Sequence, residues 1–131
     1  ISSLIKLSKY LIKKYNIKIS NILGHSDIAF ERKKDPGEKF PWKYLANKKI
    51  AIWHKIEEKK LRKLRKKNIS NFEMARFFRC LNKIGYSVKK LNGNKRLKLA
   101  KSFQRRFRQK LINGKIDKEC LVIAKKLSNL C

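Results

Sequence analysis

Residues 21–42, NILGHSDIAFERKKDPGEKFPW, are the stretch around which the rest of the chain has to be arranged. The apolar run Ile19, Ile22, Leu23 stops at Gly24, His25 follows at once, and Pro36-Gly37 turns the chain. Asp35 stands between a basic run and that turn. A neutral imidazole and a carboxylate are ordinary ligands for a divalent zinc ion. A strand ending at Gly24 would fix His25, and the turn would bring Asp35 back to it. In an extended segment alternate side chains share a side, so Lys33 faces the same site as Asp35 while Arg32 and Lys34 point away. On spacing alone, a lone His and a distant Asp read more readily as surface-loop chemistry than as a metal site.

The order of the residues adds to that reading. GHSDIAFERKKDPGEKFPW closely resembles the G-H-S-D-I-A-x-x-R-K-x-D-P-G-x-x-F-x-W signature of the AmpD/AmiD-type zinc N-acetylmuramoyl-L-alanine amidases. Such enzymes hydrolyse the amide between the lactyl group of N-acetylmuramic acid and the L-alanine of the peptidoglycan stem. The resemblance implies zinc as cofactor, His25 and Asp35 as zinc ligands, and Lys33 as the cation at the reacting carbonyl. It also implies an α/β domain in which a helix packs on the sheet carrying the second zinc ligand. The sequence departs from the pattern at Phe30-Glu31, where the family has Pro-Gly, and at Lys34, where it has Thr. The family's first zinc ligand, a His, and its general-base Glu have no counterpart here; Glu31 and His54 are available in type, but neither matches those motifs.

Charge widens the choice of partners. Lys and Arg number 37 against 9 Asp and Glu, a net charge of +28, which attracts any polyanion. The joint abundance of Lys, Ile and Asn is what an A+T-rich genome encodes, and much of the charge is weighed to that origin. No apolar run has the length of a membrane span, and no signal peptide is visible. Cys80, Cys120 and Cys131 lack C-x-x-C spacing, and their odd number argues against a closed disulfide framework. Cys80 and Cys120 fall on apolar helical positions and read as small hydrophobes.

Along the chain, residues 3–15 predict an amphipathic helix with Leu4, Leu7, Leu11 and Tyr15 inward. Residues 17–23 alternate and predict a strand. Phe40 and Trp42 read as apolar anchors of the loop ahead of a sugar-lining role, and a short helix begins at Trp42. In the following KKIAIWHK, Lys49 and Ala51 stand where the family pattern has glycines. Residues 54–68 are almost all charge and predict a solvated helical linker, with His54 on the surface. Ser70-Asn71-Phe72-Glu73 is a capping box opening a helix with Met74, Phe77, Phe78, Leu81 and Ile84 inward, closed by Gly85. A second helix starts near Asn94 with Leu97, Ala100, Phe103, Phe107 and Leu111 inward. Asp117 caps a third, with Cys120, Leu121, Ala124, Leu127 and Leu130 inward. FQRRFRQKLINGKIDKECLVIAKKL is similar to the F-Q-x-x-F…G-x-x-D run of peptidoglycan-binding-like three-helix domains, which some amidases of this family carry after the catalytic domain.

These observations predict a mostly α chain: the C-terminal part of an α/β amidase domain (helix, strand, zinc loop) at 1–53, a basic linker at 54–69, and a peptidoglycan-binding-like three-helix bundle at 70–131. The expected function is zinc-dependent hydrolysis of the N-acetylmuramoyl-L-alanine bond of peptidoglycan or muropeptides. This chain is expected to be an incomplete portion, a truncated, split or decaying copy, inactive alone, and to act in the cell envelope or periplasm rather than the cytoplasm. No residue is assigned to substrate binding. A non-catalytic peptidoglycan-binding module is the first alternative. A basic nucleic-acid-binding protein is the second, supported by charge alone.

Overall fold

The computed structural model describes all 131 residues. Seven α-helices follow one another: α1 (Ser2–Tyr15), α2 (His25–Ile28), α3 (Trp42–Asn47), α4 (Glu58–Leu64), α5 (Asn71–Ile84), α6 (Gly93–Phe107) and α7 (Lys118–Ser128). There is no strand and no sheet, which overturns the expected α/β portion. Residues 17–23 carry an alternating pattern but have no neighbouring segment to take up their backbone groups. An extended chain without a partner strand gains no ladder. The backbone instead closes a 3-10 turn at Ile19–Asn21, where Asn21 N–H donates to the Lys18 carbonyl at 2.9 Å and Ile22 N–H to that of Ile19 at 3.2 Å.

The main core lies between α5, α6 and α7, with Leu61 of α4, Ile52 and Phe30 added at its edges. Phe77, Phe103 and Phe107 are fully enclosed, and Phe77 meets Phe103 edge-to-face with centroids 5.2 Å apart. Each such ring contributes roughly 2–3 kcal/mol through burial and prefers this edge-to-face geometry for the quadrupole of its π system. The capping box at Ser70 forms as predicted, with Glu73 N–H donating to Ser70 Oγ at 3.1 Å and Ser70 N–H to Glu73 Oε1 at 3.2 Å. Asp117 caps α7 through the Cys120 amide at 3.0 Å. The stripe on α6 differs from expectation: Leu99 is buried and Leu97 is exposed, and the helix ends at Phe107, short of Leu111.

A second, smaller cluster of Trp42, Leu45, Ile50 and Ala51 receives Ile5 and Ile12 of α1. The predicted inward stripe of α1 therefore faces elsewhere: Leu4, Leu7 and Tyr15 are exposed. Residues 54–69, expected as a solvated linker, carry α4, whose Leu61 is buried against the main core. Arg65 adds an ion pair to the fully enclosed Glu119 of α7 at 2.9 Å.

Candidate active site

Gly24 sets the geometry of the loop that bears the candidate ligands. A Cβ at this position would lie 2.7 Å from Pro36 Cδ and 3.1 Å from the Trp42 ring, so only glycine lets the two ends of the loop close. Ser26 N–H then donates to the Asp35 carbonyl at 2.8 Å, joining the start of α2 to the residue before the turn. Through this closure His25 Nδ1 comes to 3.1 Å from Asp35 Oδ2. Both side chains remain largely open to solvent, at 47% and 66% exposure. Trp42 is buried, and the half-buried Phe40 packs edge-on to it with centroids 4.8 Å apart. Gln109 holds the Phe40 carbonyl at 2.8 Å, so these aromatics fasten the loop to the body.

Asp27, inside the same signature, does something that sequence reasoning did not assign. Its carboxylate is buried and accepts from Gly24 N–H at 2.8 Å, from Tyr86 Oη–H at 2.6 Å and from Arg106 Nη1 at 2.5 Å. Arg106 also donates to the Ile22 carbonyl at 2.9 Å and lies flat on Trp42, its guanidinium carbon 4.1 Å from the ring centroid. Ser102 Oγ–H donates to the Ser26 carbonyl at 2.7 Å. The loop carrying His25 is thus held against α6 by a buried ion pair with a cation–π contact, since a guanidinium stripped of water needs both a carboxylate and polarisable surface. Burial first, and the Asp27 charge second, push the Tyr86 phenol well above its usual range, so it stays a donor. One signal was available in the sequence: Arg106 falls between Phe103 and Phe107 on the inward side of a helix, where a charge requires a partner.

Lys33 is half-buried, and its amide donates to the Ala29 carbonyl at 2.9 Å. Its side chain lines a cleft between the loop and α6 together with Arg32 and Lys34, and neither His25 nor Asp35 is in that wall. The expected alternation, with Lys33 on the side of Asp35 and its neighbours facing away, does not hold, because the Arg32 and Lys33 amides both donate to the Ala29 carbonyl and close a turn there. The other residues offered in type for the missing roles stand elsewhere. His54 is buried at 4% exposure, contrary to the surface position expected, because Trp53 stacks on it at 4.7 Å and the Ile56 amide donates to its Nδ1 at 3.1 Å. Desolvation by burial pulls its imidazole down to about 4, so it is neutral near pH 7. Glu31 points to α6, where Lys95 Nζ lies 3.4 Å from its carboxylate. Cys120 is buried, with burial pushing its thiol up to about 12, and fills the core as expected.

The donor set permits a test of zinc. His25 and Asp35 supply an imidazole nitrogen and a carboxylate oxygen side by side at the surface, which suits two corners of a tetrahedral site. No cluster of three or more His, Cys, Asp or Glu side chains able to hold a metal occurs among these residues. The donor types suit the ion at two of its positions, and a three-ligand catalytic site needs one more. No helix is long and apolar enough to cross a membrane.

No family profile matches the chain. N-acetylmuramoyl-L-alanine amidase AmiD of Escherichia coli K12 is 34% identical over 128 residues, covering 97% of this chain and 46% of that protein. The 1,6-anhydro-N-acetylmuramyl-L-alanine amidase AmpD of Enterobacter cloacae is 51% identical over 39 residues, 30% of this chain and 21% of that protein. The solved complex of E. coli AmiD with the substrate anhydro-N-acetylmuramic acid-L-Ala-D-gamma-Glu-L-Lys superimposes with a TM-score of 0.83 at 32% identity, over 98% of this chain and 51% of AmiD. AmpDH3 of Pseudomonas aeruginosa superimposes with a TM-score of 0.80 at 28% identity, over 98% of this chain and 52% of that one. It has also been solved with anhydromuramic pentapeptide. The chain spans about half the length of the AmiD and AmpDH3 chains it matches.

Proposed function

Since the chain is a relative of the AmpD/AmiD-type N-acetylmuramoyl-L-alanine amidases, matched over about half of AmiD's length, we propose that it takes part in zinc-dependent hydrolysis of the N-acetylmuramoyl-L-alanine bond of peptidoglycan or muropeptides. The observation that carries this reading is the closure of the signature loop, which puts His25 Nδ1 3.1 Å from Asp35 Oδ2 at the surface. His25 and Asp35 are two zinc ligands. Lys33, carried by the same signature, would be the cation at the oxygen of the scissile carbonyl, where a fixed positive charge favours the developing oxyanion over the neutral carbonyl. Zinc, when bound, supplies Lewis acidity and a water activated near neutral pH.

This chain's own part is to orient and to neutralise. Asp27 and Arg106 hold the loop in place, Gly24 lets it close, and Lys33 adds charge at the reacting centre. Glu31 is paired with Lys95 and Asp27 with Arg106, so neither carboxylate is free for proton transfer to the leaving amine. Residues 1–53 carry the ligand loop, 54–69 connect, and 70–131 are the part proposed to bind peptidoglycan. The setting that suits such a substrate is the cell envelope or periplasm.

The test is zinc uptake and peptide release measured together. Cobalt substitution followed by visible absorption reads the ligands directly, and mass spectrometry of anhydromuropeptide reads cleavage. The chain is expected to take up metal weakly, to lose that uptake in His25→Ala and Asp35→Ala, and to release little stem peptide alone. Addition of the part of E. coli AmiD that this chain does not match is expected to restore cleavage that Lys33→Ala lowers. Metal uptake indifferent to both His25 and Asp35 would overturn the ligand assignment, and rapid cleavage by the chain alone would overturn the incomplete site.

A further inference from the structure

A cleft of about 630 Å³ opens between the His25–Asp35 loop and α6. Six basic side chains line it, Arg32, Lys33 and Lys34 from the loop and Lys98, Lys101 and Arg105 from the helix, against two acidic ones, Glu31 and Glu38. Lys98, Lys101 and Arg105 recur at three and four residues and so share one face of α6. Glu31 is already engaged: its carboxylate faces Lys95 Nζ at 3.4 Å, and its carbonyl accepts from Lys98 Nζ at 3.0 Å. None of the ion pairs of the chain involves Lys33, Lys34, Lys101 or Arg105. Lys33, Lys101 and Arg105 are nonetheless half-buried. Six crowded cations against two carboxylates, one of them already paired with Lys95, raise the energy of the empty cleft, and an anion relieves it. Phe30, Glu31 and Lys34, the positions that depart from the amidase signature, all lie in its wall, so its chemistry belongs to this chain.

We propose that this cleft is an anion subsite that holds the free carboxylates of the stem peptide, on the leaving-group side of the scissile amide. The inference rests on the amidase reading, because Lys33 is shared between the cleft wall and the reacting carbonyl. In the substrate of the AmiD complex, L-Ala is followed by a γ-linked D-Glu, whose α-carboxylate is free, and then by L-Lys. Two extended residues reach about 7 Å beyond the alanine, and the three α6 cations are spread over about 10 Å of helix. Both remaining carboxylates of such a stem can therefore meet a cation. The apolar side chains of Phe30, Leu97 and Ile112 in the same wall lower the local dielectric, which strengthens each pair relative to open solvent.

The experiment is calorimetric titration of the full chain, without zinc, with anhydromuramyl-L-Ala-D-γ-Glu-L-Lys and with the same ligand amidated at the glutamate α-carboxylate. The amidated ligand is expected to bind about tenfold more weakly, the loss of one charge-assisted contact. The Lys101→Ala/Arg105→Ala variant is expected to lose a similar factor for the carboxylate ligand and little for the amidated one, and Arg105→Lys to restore most of it. Circular dichroism checks that the variants fold. Equal affinity for the two ligands, no binding of either, or equal weakening by the double variant would overturn the subsite. Equally tight binding of a short oligonucleotide would overturn it in favour of undirected charge. Zinc uptake is read separately, so discrimination between the ligands without uptake of metal by His25 and Asp35 would keep the subsite and sink the amidase reading.

Discussion

Replacing Asp27 by Asn tests how the loop is held. Asp27 and Arg106 have side-chain exposures of 4% and 3%, and the pair sits 2.5 Å apart. Asn keeps the shape and one oxygen acceptor, so the hydrogen bond from Gly24 or Tyr86 can persist. It removes the charge that compensates Arg106. That guanidinium cannot swing out to water, because it is also bound to the Ile22 carbonyl at 2.9 Å and lies on Trp42 and Phe107 at 4.1 and 4.9 Å. Removing one partner of a buried pair costs about 3–5 kcal/mol, a large share of the roughly 5–15 kcal/mol that a domain possesses. Urea unfolding at neutral pH is expected to show the midpoint lowered by about 1.5–2.5 M at a slope of about 2 kcal/mol/M, with little change in that slope. Adding Arg106→Met should recover a large part of the loss, since an apolar side chain of similar reach leaves no stranded charge. The reasoning fails if Asp27→Asn costs less than about 1 kcal/mol, or if the double variant is as unstable as the two single losses summed.

Two further outcomes follow from the same structure. Gly24→Ala pushes a Cβ to 2.7 Å from Pro36 Cδ, which a proline ring cannot evade; a loss of about 1–3 kcal/mol in urea unfolding and weaker metal uptake are expected, and unchanged uptake would count against loop closure. His54 titrates near 6.5 when unfolded and at about 4 when folded, so the unfolded state binds the proton first. Its contribution is present above pH 6.5 and is lost as pH falls towards 4, by up to roughly 3 kcal/mol. His54→Gln should flatten the stability profile in that window, and a slope unchanged by the substitution would refute the buried neutral imidazole.

Local chemistry was legible from the residues themselves. The capping box at Ser70, the Asp117 cap, the Gly85 stop and the helical span of α5 are written within a few neighbouring residues, and each formed as read. The stripe on α7 formed up to Leu127, but the helix ends at Ser128 and Leu130, read as inward, is exposed beyond it. The resemblance to the AmpD/AmiD-type amidases was legible too, because it lies in consecutive residues of one loop. The alternation at residues 17–23 misled, because a strand is a property of two segments and no second one is present. The charged stretch around α4 misled because the burial of Leu61 and the pairing of Arg65 with Glu119 depend on a helix 54 positions away.

What the sequence determined alone was therefore the identity of His25, Lys33 and Asp35 as candidates and the short-range signals around them. Only the tertiary structure decided that Asp27 is a buried anchor, that Arg106 reaches back 79 positions to hold it, and that Lys98, Lys101 and Arg105 face the loop across a cleft. The physical reason is that a carboxylate's role depends on its surroundings. In sequence Asp27 and Asp35 are the same side chain in one loop, and the difference between a buried anchor and a solvent-open candidate ligand is whether α6 or water lies against it.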